Sequence, residues 1–301
     1  MNNRVFYLIS GPAHLPYMLV SLYTLRQHWF GKVVIYAWPE SYDIVKRVSL
    51  DLRLGPDTYV VKREPEYRGK NCQFIDKIKI AMEEPADKVL YLDADTTIHG
   101  DIEPLFTELQ LPYTFLGTQW NDWVTTGRSI KGRIEDLREF VGRGIDEPLI
   151  NKLQVEPYPS VNGGVWSCMS GSPVLRKWLE YTWTARSKFI ADEKCLHLMM
   201  TMFPSQMGVV GSCGVFNSSP KHKSKLLPLD QVRIYHYHGD SNCRLQKSKI
   251  GVQLWWPIYQ HCLNQDIGSM AKWRKDIKNR HLDKCEEEMS EMKESDRIMC
   301  G

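Results

Sequence analysis

The sequence predicts an α/β protein with a mixed, mainly parallel sheet that is flanked by helices. Two observations lead to this prediction. Apolar segments of strand length alternate with amphipathic segments of helical length over residues 1–92, and a pair of carboxylates directly follows the fourth strand segment. Strands that alternate with helices imply right-handed crossovers and parallel pairing. Since such a sheet binds ligands at the carboxyl ends of its strands, the pair occupies a position typical of a ligand site.

The N-terminal third of the chain supplies four strands and three helices. The strands are predicted at residues 4–10, 32–38, 58–62 and 88–92, and the helices at residues 15–29, 41–52 and 71–83. Leucines and aromatics at helical spacing indicate the first helix, and Ser41 is a candidate N-cap of the second. One face of the third helix is formed by Phe74, Ile75, Ile78 and Met82.

After Pro112 the predicted strands and helices no longer alternate regularly. Strands are predicted at residues 113–120, 161–169 and 232–238, and amphipathic helices at residues 172–186 and 192–203. From Leu263 the chain is rich in charge and is expected to be helical. Since neither a repeat nor a low-complexity linker interrupts the chain, we predict one domain over residues 1–262 and a helical C-terminal extension over residues 263–301.

Composition places the chain among ordinary globular proteins. Of its 301 residues, 43% are hydrophobic and 25% are charged, which excludes disordered and collagen-like classes. The net charge of +3 permits an anionic substrate without requiring a nucleic-acid partner. No apolar run reaches the length of a membrane span, the N-terminus lacks the features of a signal peptide, and the cysteines form no CxxC pair. We therefore expect a cytoplasmic protein, or one in the host cytoplasm if the chain is viral.

The carboxylate pair lies in the segment VLYLDADTTIHGDIEPLF, where Asp93 and Asp95 flank one alanine. Side chains two residues apart on an extended chain point the same way. Two such carboxylates repel each other unless a cation lies between them. Oxygen ligands suit Mg²⁺ or Mn²⁺, and an added imidazole favours Mn²⁺. A solvated turn is the alternative interpretation of this short motif.

Together with its neighbours, this DxD pair resembles the metal site of the GT-A glycosyltransferases, above all the retaining, glycogenin-like family 8. The segment from Gly100 to Phe106 is similar to the stretch that follows the pair in that family. The resemblance spans about residues 4–245. It implies a GT-A (Rossmann-like) fold and a divalent ion, Mn²⁺ or Mg²⁺, that Asp93 and Asp95 hold against the diphosphate of a nucleotide-sugar.

Two more segments carry the resemblance. FIDKI resembles the family's Phe-x-x-Lys-Leu segment, which implies that Lys77 contacts the donor; an ordinary surface lysine is the alternative. VNGGVW resembles the family's Asn-Ala-Gly-Val strand, which implies donor contacts for Asn162, Gly163 and Gly164. Glycine also lets a backbone approach a sugar closely, although a glycine bulge in a strand would explain the same residues.

The segment YHYHGDSNCR resembles the family's His-x-x-Gly-x-x-Lys motif. Matched on the glycine, it implies that His236 is the third metal ligand and that Gly239 belongs to the donor site, with His238 as the alternative ligand. The lysine of the motif falls on Asn242, which carries no charge. Arg244 is then the candidate cation for the diphosphate.

The remaining candidate residues complete a nucleotide-sugar site. The loop after the first strand is expected to hold the nucleoside through Ser10, Gly11 and His14. Asp192 and Glu193 occupy the place of the family's Asp-Gln pair, with Glu193 as a candidate donor contact. Asp192 and Asp122 are the candidate catalytic carboxylates. The resemblance further implies a UDP-sugar donor and retention at the anomeric carbon.

The acceptor is less well defined by the sequence. The basic stretches at residues 221–225 and 272–281 interleave Lys, Arg and Trp, a composition that can follow a phosphate backbone. A hydroxymethylated DNA base, as modified by viruses of bacteria, and a glycan are both compatible acceptors, and a solvated helix face is the alternative for the basic stretches. Neither the sugar, hexose or pentose, nor the oligomeric state follows from the residues.

Two other functions compete with glycosyl transfer. A nucleotidyltransferase would carry a glycine-rich phosphate loop after the first strand, and SGPAH is a poor match to one. An inactive carbohydrate- or nucleic-acid-binding module on the same fold would tolerate loss of the DxD pair or the histidine, yet both are present. We therefore place an active, metal-dependent enzyme ahead of both.

Overall fold

The computed structural model describes residues 2–69, 71–120, 134–155, 158–211, 214–220, 227–237 and 249–291. In chain order the strands are β1 Asn3–Ile9, β2 Lys32–Ala37, β3 Thr58–Lys62, β4 Lys88–Leu92, β5 Thr96–Ile98, β6 Phe115–Gln119, β7 Val161–Met169, β8 Met207–Val210 and β9 Ile234–His236. The α-helices are α1 Leu15–Leu25, α2 Pro39–Val48, α3 Cys72–Glu83, α4 Pro104–Thr107, α5 Glu147–Val155, α6 Pro173–Thr184, α7 Ala191–Met202, α8 Lys249–Asn264, α9 Met270–Trp273 and α10 Arg280–Glu291. Short 3-10 turns lie at Pro12–His14, Leu52–Leu54, Glu135–Phe140, Leu229–Gln231, Ile267–Ser269 and Arg274–Asp276.

A seven-stranded sheet of order β3-β2-β1-β4-β7-β6-β8 organises the chain. The first four of these strands pair in parallel, and β8 is parallel to β6. Only β7, among the strands that the structure describes in this sheet, runs against both neighbours. The predicted α/β class with a mainly parallel sheet is therefore confirmed.

Each predicted strand has a counterpart, and the helices differ mainly at their ends. The second helix begins at Pro39 with Trp38 in the cap position, so the prediction that Ser41 caps it is wrong. Proline favours the first helical turn because it lacks an N–H and its φ is fixed. The predicted apolar face of α3 is also incomplete, since Met82 is 38% exposed whereas Ile75 and Ile78 are buried.

Alternation along β1 divides the core between the two faces of the sheet. Val5 and Tyr7 point to one face, where α1 and α2 pack, and Phe6 points to the other, where α3, α6 and α7 pack. The segment after residue 262 adds Ile267, Met270, Trp273 and Leu282 to the first of these cores. The boundary between residues 262 and 263 stays a prediction, and the two sides of it share one core.

Several side chains with ambiguous roles are core residues. Trp255 and Trp256 are buried and pack against Tyr259. Free thiols that are buried occur at Cys72, Cys168, Cys195, Cys262 and Cys285. Within the described ranges, none of the helices is long and apolar enough to span a membrane.

Candidate metal and donor site

A two-stranded sheet brings the distant histidine to the carboxylate pair. β5 and β9 pair antiparallel with His236 opposite Thr96, the residue that follows Asp95. The backbone N–H of Tyr237 donates to the Asp95 carbonyl at 2.9 Å. On the other side of the turn, the Asp93 N–H donates to the Gly164 carbonyl at 2.8 Å, which ties the pair to β7. Backbone pairing alone thus positions both acidic residues against the histidine.

Asp93, Asp95 and His236 form one cluster at the carboxyl end of β4. The His236 Nε2 atom lies 3.4 Å from Asp93 Oδ2 and 3.3 Å from Asp95 Oδ1, and one potential ligand atom from each residue lies within 4.8 Å of the others. The His236 side chain is 3% exposed, whereas those of Asp93 and Asp95 are 31% and 17% exposed. Two oxygens and one imidazole nitrogen at these distances suit a divalent cation of the Mn²⁺ or Mg²⁺ type.

The charges in the cluster depend on one another. Burial would lower the pKa of His236, but Asp95 and Asp93 outweigh it and raise that pKa to about 9. Burial would raise the pKa of Asp93, but the positive charges of Lys77 and His236 keep it below its usual value. The Tyr91 hydroxyl also donates to Asp93 Oδ1. Without a cation, the proton on His236 therefore compensates part of the carboxylate charge.

Asn217 orients the histidine, and sequence reasoning missed it. The His236 Nδ1–H donates to Asn217 Oδ1 at 3.2 Å, and Asn217 Nδ2 donates to Thr118 Oγ1 at 2.9 Å. A partner on Nδ1 leaves Nε2 directed at the carboxylates and fixes the ring, as is usual for metal-binding histidines. An asparagine before two serines and a proline reads as a turn residue, so no local signal marks this role.

Asn217→Ala is expected to weaken binding of a divalent cation by about 10- to 100-fold, the usual effect of losing the partner of a metal-binding histidine. Asn217→Asp keeps an acceptor for Nδ1–H and is expected to retain more affinity than the alanine variant. Competition titration with a Mn²⁺ indicator measures both. Wild-type affinity in Asn217→Ala would contradict the orienting role.

The glycine pair of β7 makes room for the cluster. A Cβ on Gly164 would lie 2.2 Å from His236 Cε1 and 2.5 Å from Asp93 Oδ2. A Cβ on Gly163 would lie 2.7 Å from Asp192 Oδ2 and 3.1 Å from Lys77 Nζ. Real Cβ atoms essentially never lie within 3.0 Å of another heavy atom, so a side chain at either position would force its neighbours to move. A sugar contact at these residues stays a prediction.

Asn162 and Glu193 lie together beside the glycine pair. Asn162 Nδ2 donates to Glu193 Oε2 at 2.6 Å, and Asn162 Oδ1 accepts the Gly164 N–H at 2.7 Å. Both polar atoms of Asn162 are thus engaged within the protein. The structure places these two predicted donor residues next to the cluster, and their donor contacts stay predictions.

A buried ion pair joins α3 to α7. Lys77 Nζ lies 2.5 Å from Asp192 Oδ2 and donates to the Gly163 carbonyl at 2.7 Å. Burial would lower the pKa of Lys77, but Asp192 and Asp93 outweigh it and raise that pKa. Lys77 is 3% exposed, which excludes the surface-lysine alternative. Asp192 Oδ1 is buried and has no hydrogen-bond partner among the described residues.

Lys77→Met is expected to destabilise the fold by about 3–5 kcal/mol, because it leaves the buried Asp192 carboxylate without its counter-ion. The double variant Lys77→Met/Asp192→Asn should regain part of this loss. Lys177→Met is the matched control, since its pair with Glu180 is exposed and such pairs contribute about 0–1 kcal/mol. Urea unfolding measures all three variants. Equal losses of unfolding free energy in Lys77→Met and Lys177→Met would show that the buried pair stabilises the fold no more than the exposed pair does.

A cleft of about 710 Å³ opens onto the two carboxylates. Ser10 and His14, from the loop after β1, line this cleft together with Asp93 and Asp95. Gly11 lies between the two loop residues in extended backbone, and a Cβ there would meet nothing within 4 Å. Four of the predicted site residues, Asp122, His238, Gly239 and Arg244, lie outside the described residues.

The fold and this site define the class of structure. The chain has the GT-A glycosyltransferase fold, a mixed, mainly parallel sheet flanked by helices. A similar solved structure is that of the galactosyltransferase LgtC in complex with donor and acceptor sugar analogues, at a TM-score of 0.57 and 15% identity over 91% of this chain and 100% of that one. No protein-family model matches the sequence, and neither does any curated protein. At 15% sequence identity, this structural similarity establishes the fold alone.

Proposed function

We propose that this protein is a metal-dependent glycosyltransferase that moves a sugar from a nucleotide-sugar, with a UDP-sugar as the first candidate, to an acceptor hydroxyl. The observation that carries the proposal is the cluster of Asp93, Asp95 and His236 at a strand end beside a 710 Å³ cleft. The GT-A fold supports it, since LgtC, which shares that fold, was solved with donor and acceptor sugar analogues. Neither glycogenin-like membership nor retention is needed for this proposal.

The two carboxylate oxygens and one imidazole nitrogen of the cluster suit Mn²⁺ better than Mg²⁺ as ligand atoms, because imidazole is a softer ligand than carboxylate or water. When bound, a divalent cation supplies Lewis-acid neutralisation of the charge that builds up on a departing nucleoside diphosphate. Asp93 and Asp95 would hold it through oxygen and His236 through Nε2. Asn217 would keep the imidazole in its binding orientation, and Gly164 would keep its space open.

Lys77 and Asp192 form the second half of the proposed chemistry. Lys77 places a fixed positive charge beside Asp93, where negative charge develops on the leaving group. Asp192 Oδ1 would accept a hydrogen bond from a sugar hydroxyl, since this buried oxygen has no described partner. The ion pair holds the carboxylate in one orientation. Whether Asp192 or the predicted Asp122 contacts the reacting carbon distinguishes two versions of this mechanism.

Calorimetry with UDP in the presence and absence of Mn²⁺ tests the proposal. We expect UDP to bind only with the metal. A panel of nucleotide-sugars then identifies the donor, because water replaces the acceptor slowly and a transferase releases free sugar and nucleoside diphosphate. Release of pyrophosphate from a nucleoside triphosphate plus a sugar 1-phosphate would instead show a nucleotidyltransferase. Binding without turnover of any donor would show a binding module.

The affinity for Mn²⁺ is expected to increase with pH between 6.5 and 8. The pKa of His236 is raised from 6.5 to about 9, so the metal-free site holds a proton that a cation on Nε2 must displace. Affinity should then rise by about tenfold per pH unit, while the stability that this proton gives the metal-free protein declines as the pH rises from 6.5 through 9. Indicator titrations across this range measure the slope, and a flat profile would contradict ligation through Nε2.

Of the two basic stretches considered for acceptor binding, the structure describes the one at residues 272–281. Within residues 272–281, Trp273 and Arg274 are buried, and Arg274 pairs with Asp283 and Glu286. This stretch therefore does not present all of its basic and aromatic side chains on one face. The stretch at residues 221–225 lies outside the described residues. A glycan or a hydroxymethylated DNA base stays the proposed acceptor, and a mass shift on hydroxymethylated DNA with the identified donor distinguishes them.

A further inference from the structure

A short basic segment of the C-terminal extension lines the same cleft as the metal cluster. The cleft is bordered by Lys278, Asn279, Arg280 and His281, between the last 3-10 turn and the first residues of α10. The side chains of Lys278, Arg280 and His281 are exposed. None of the three forms an ion pair or hydrogen bond with a residue that the structure describes. Basic groups are therefore directed to a ligand site without internal counter-ions.

Asn279 holds this segment against the loop that follows β1, the loop that is expected to hold the nucleoside. It is buried, and its Nδ2 donates to the Ala13 carbonyl at 2.9 Å and to the Tyr17 hydroxyl at 3.3 Å. Its Oδ1 accepts the Leu282 N–H at 3.1 Å and so caps α10. Leu282 is itself buried in the core beside α1 and α2. The basic side chains thus project from a backbone that is fixed on both sides.

The charges around the cleft are complementary to one kind of ligand. Asp93 and Asp95 provide negative charge, while Lys278 and Arg280 provide positive charge. A cation bound to a diphosphate satisfies both groups, because the carboxylates take the cation and the basic side chains donate to the phosphate oxygens. A neutral sugar would leave the basic side chains without a partner of opposite charge.

We infer that Lys278, Arg280 and His281 bind the phosphate groups of the nucleoside diphosphate portion of the donor, so that the C-terminal extension forms part of the donor site. This inference rests on the proposed function and adds to it a second source of positive charge, on an element remote in sequence from the metal cluster.

The double variant Lys278→Ala/Arg280→Ala tests the inference. With Mn²⁺ present, we expect its affinity for UDP to decrease by at least about tenfold, as for the loss of a charge-assisted hydrogen bond, and to depend less on salt than that of the wild type. Its affinity for Mn²⁺ alone should equal that of the wild type. The control is Arg176→Ala/Lys284→Ala, which removes the same residue types from exposed positions on α6 and α10 that do not line the cleft.

The outcomes separate this inference from the proposed function. If the test variant and the control bind UDP equally well with Mn²⁺, the C-terminal phosphate contacts are wrong while the proposed function stands. If the wild type binds none of UDP, GDP, CDP and ADP with Mn²⁺, both are wrong. If the test variant keeps its UDP affinity but loses affinity for duplex DNA, the basic segment serves a nucleic-acid acceptor instead. Circular dichroism confirms that both double variants, altered only at exposed side chains, remain folded.

Discussion

Replacing Asp95 by asparagine is expected to abolish Mn²⁺ binding and, with it, binding of UDP. The change keeps the size of the side chain but removes the charge 3.3 Å from His236 Nε2. Loss of a direct ligand should exceed the roughly 10- to 100-fold effect of losing a ligand's partner. The fold is expected to remain intact, because the Asp95 carbonyl, which pairs with Tyr237, is unchanged.

Glu108→Gln is the matched control for this result. Glu108 is exposed, directly after α4, so its change from carboxylate to amide should leave Mn²⁺ affinity unaltered. Calorimetry with Mn²⁺ alone and with UDP plus Mn²⁺ measures both variants. If Asp95→Asn keeps its metal affinity, Asp95 is not a ligand and the cluster does not act as a unit.

Gly164→Ala is expected to eliminate metal binding through sterics alone. The new Cβ would lie 2.2 Å from His236 Cε1 and 2.5 Å from Asp93 Oδ2, so both side chains must move. His236 is buried and held by Asn217, and it has little room to adjust. We expect Mn²⁺ affinity to decrease by more than about 100-fold and stability to decrease by about 1–3 kcal/mol, as for overpacking of a core.

Gly117→Ala separates the two effects. Gly117 lies on β6, next to β7, and its added Cβ would lie 3.1 Å from Val161 Cγ1, away from the cluster. It should change the packing between β6 and β7 without changing Mn²⁺ affinity. Thermal unfolding together with Mn²⁺ titration measures both variants. If both alanine variants weaken Mn²⁺ binding equally, the effect of Gly164→Ala is a general loosening of the sheet.

The sequence predicted those features that depend on local pattern. Apolar runs and helical spacing located six of the seven strands of the large sheet and five of the helices that flank it, because each of these elements is set by residues close in the chain. Asp93 and Asp95 were found for the same reason, since a DxD pair after a buried strand is a local signal. The short edge strand β8 was not predicted. Ser41 was wrongly predicted as the N-cap of α2 because several residue types can cap a helix. The helix begins earlier, at Pro39.

Features that depend on distant contacts required the structure. β5 and β9 bring together residues as far apart in the chain as Thr97 and Tyr237, which are separated by 140 positions, and only the family resemblance connected His236 to the carboxylates beforehand. The contact of Asn217 with His236 and the packing of Asn279 against Ala13 and Tyr17 have no counterpart in local sequence. Glycine at position 164 was predicted for approach to a sugar, whereas the structure provides a reason within the protein itself.

On the proposed function, one divalent cation would join Asp93, Asp95 and His236 to the diphosphate of a donor. Anomalous diffraction at the manganese edge, from crystals grown with Mn²⁺ and UDP, tests it most directly. We expect a single strong peak about 2.0–2.3 Å from a carboxylate oxygen of each aspartate and from His236 Nε2, with diphosphate oxygens completing the coordination. A peak that contacts UDP but neither aspartate, or a bound UDP without any metal peak, would contradict a metal site formed by this cluster.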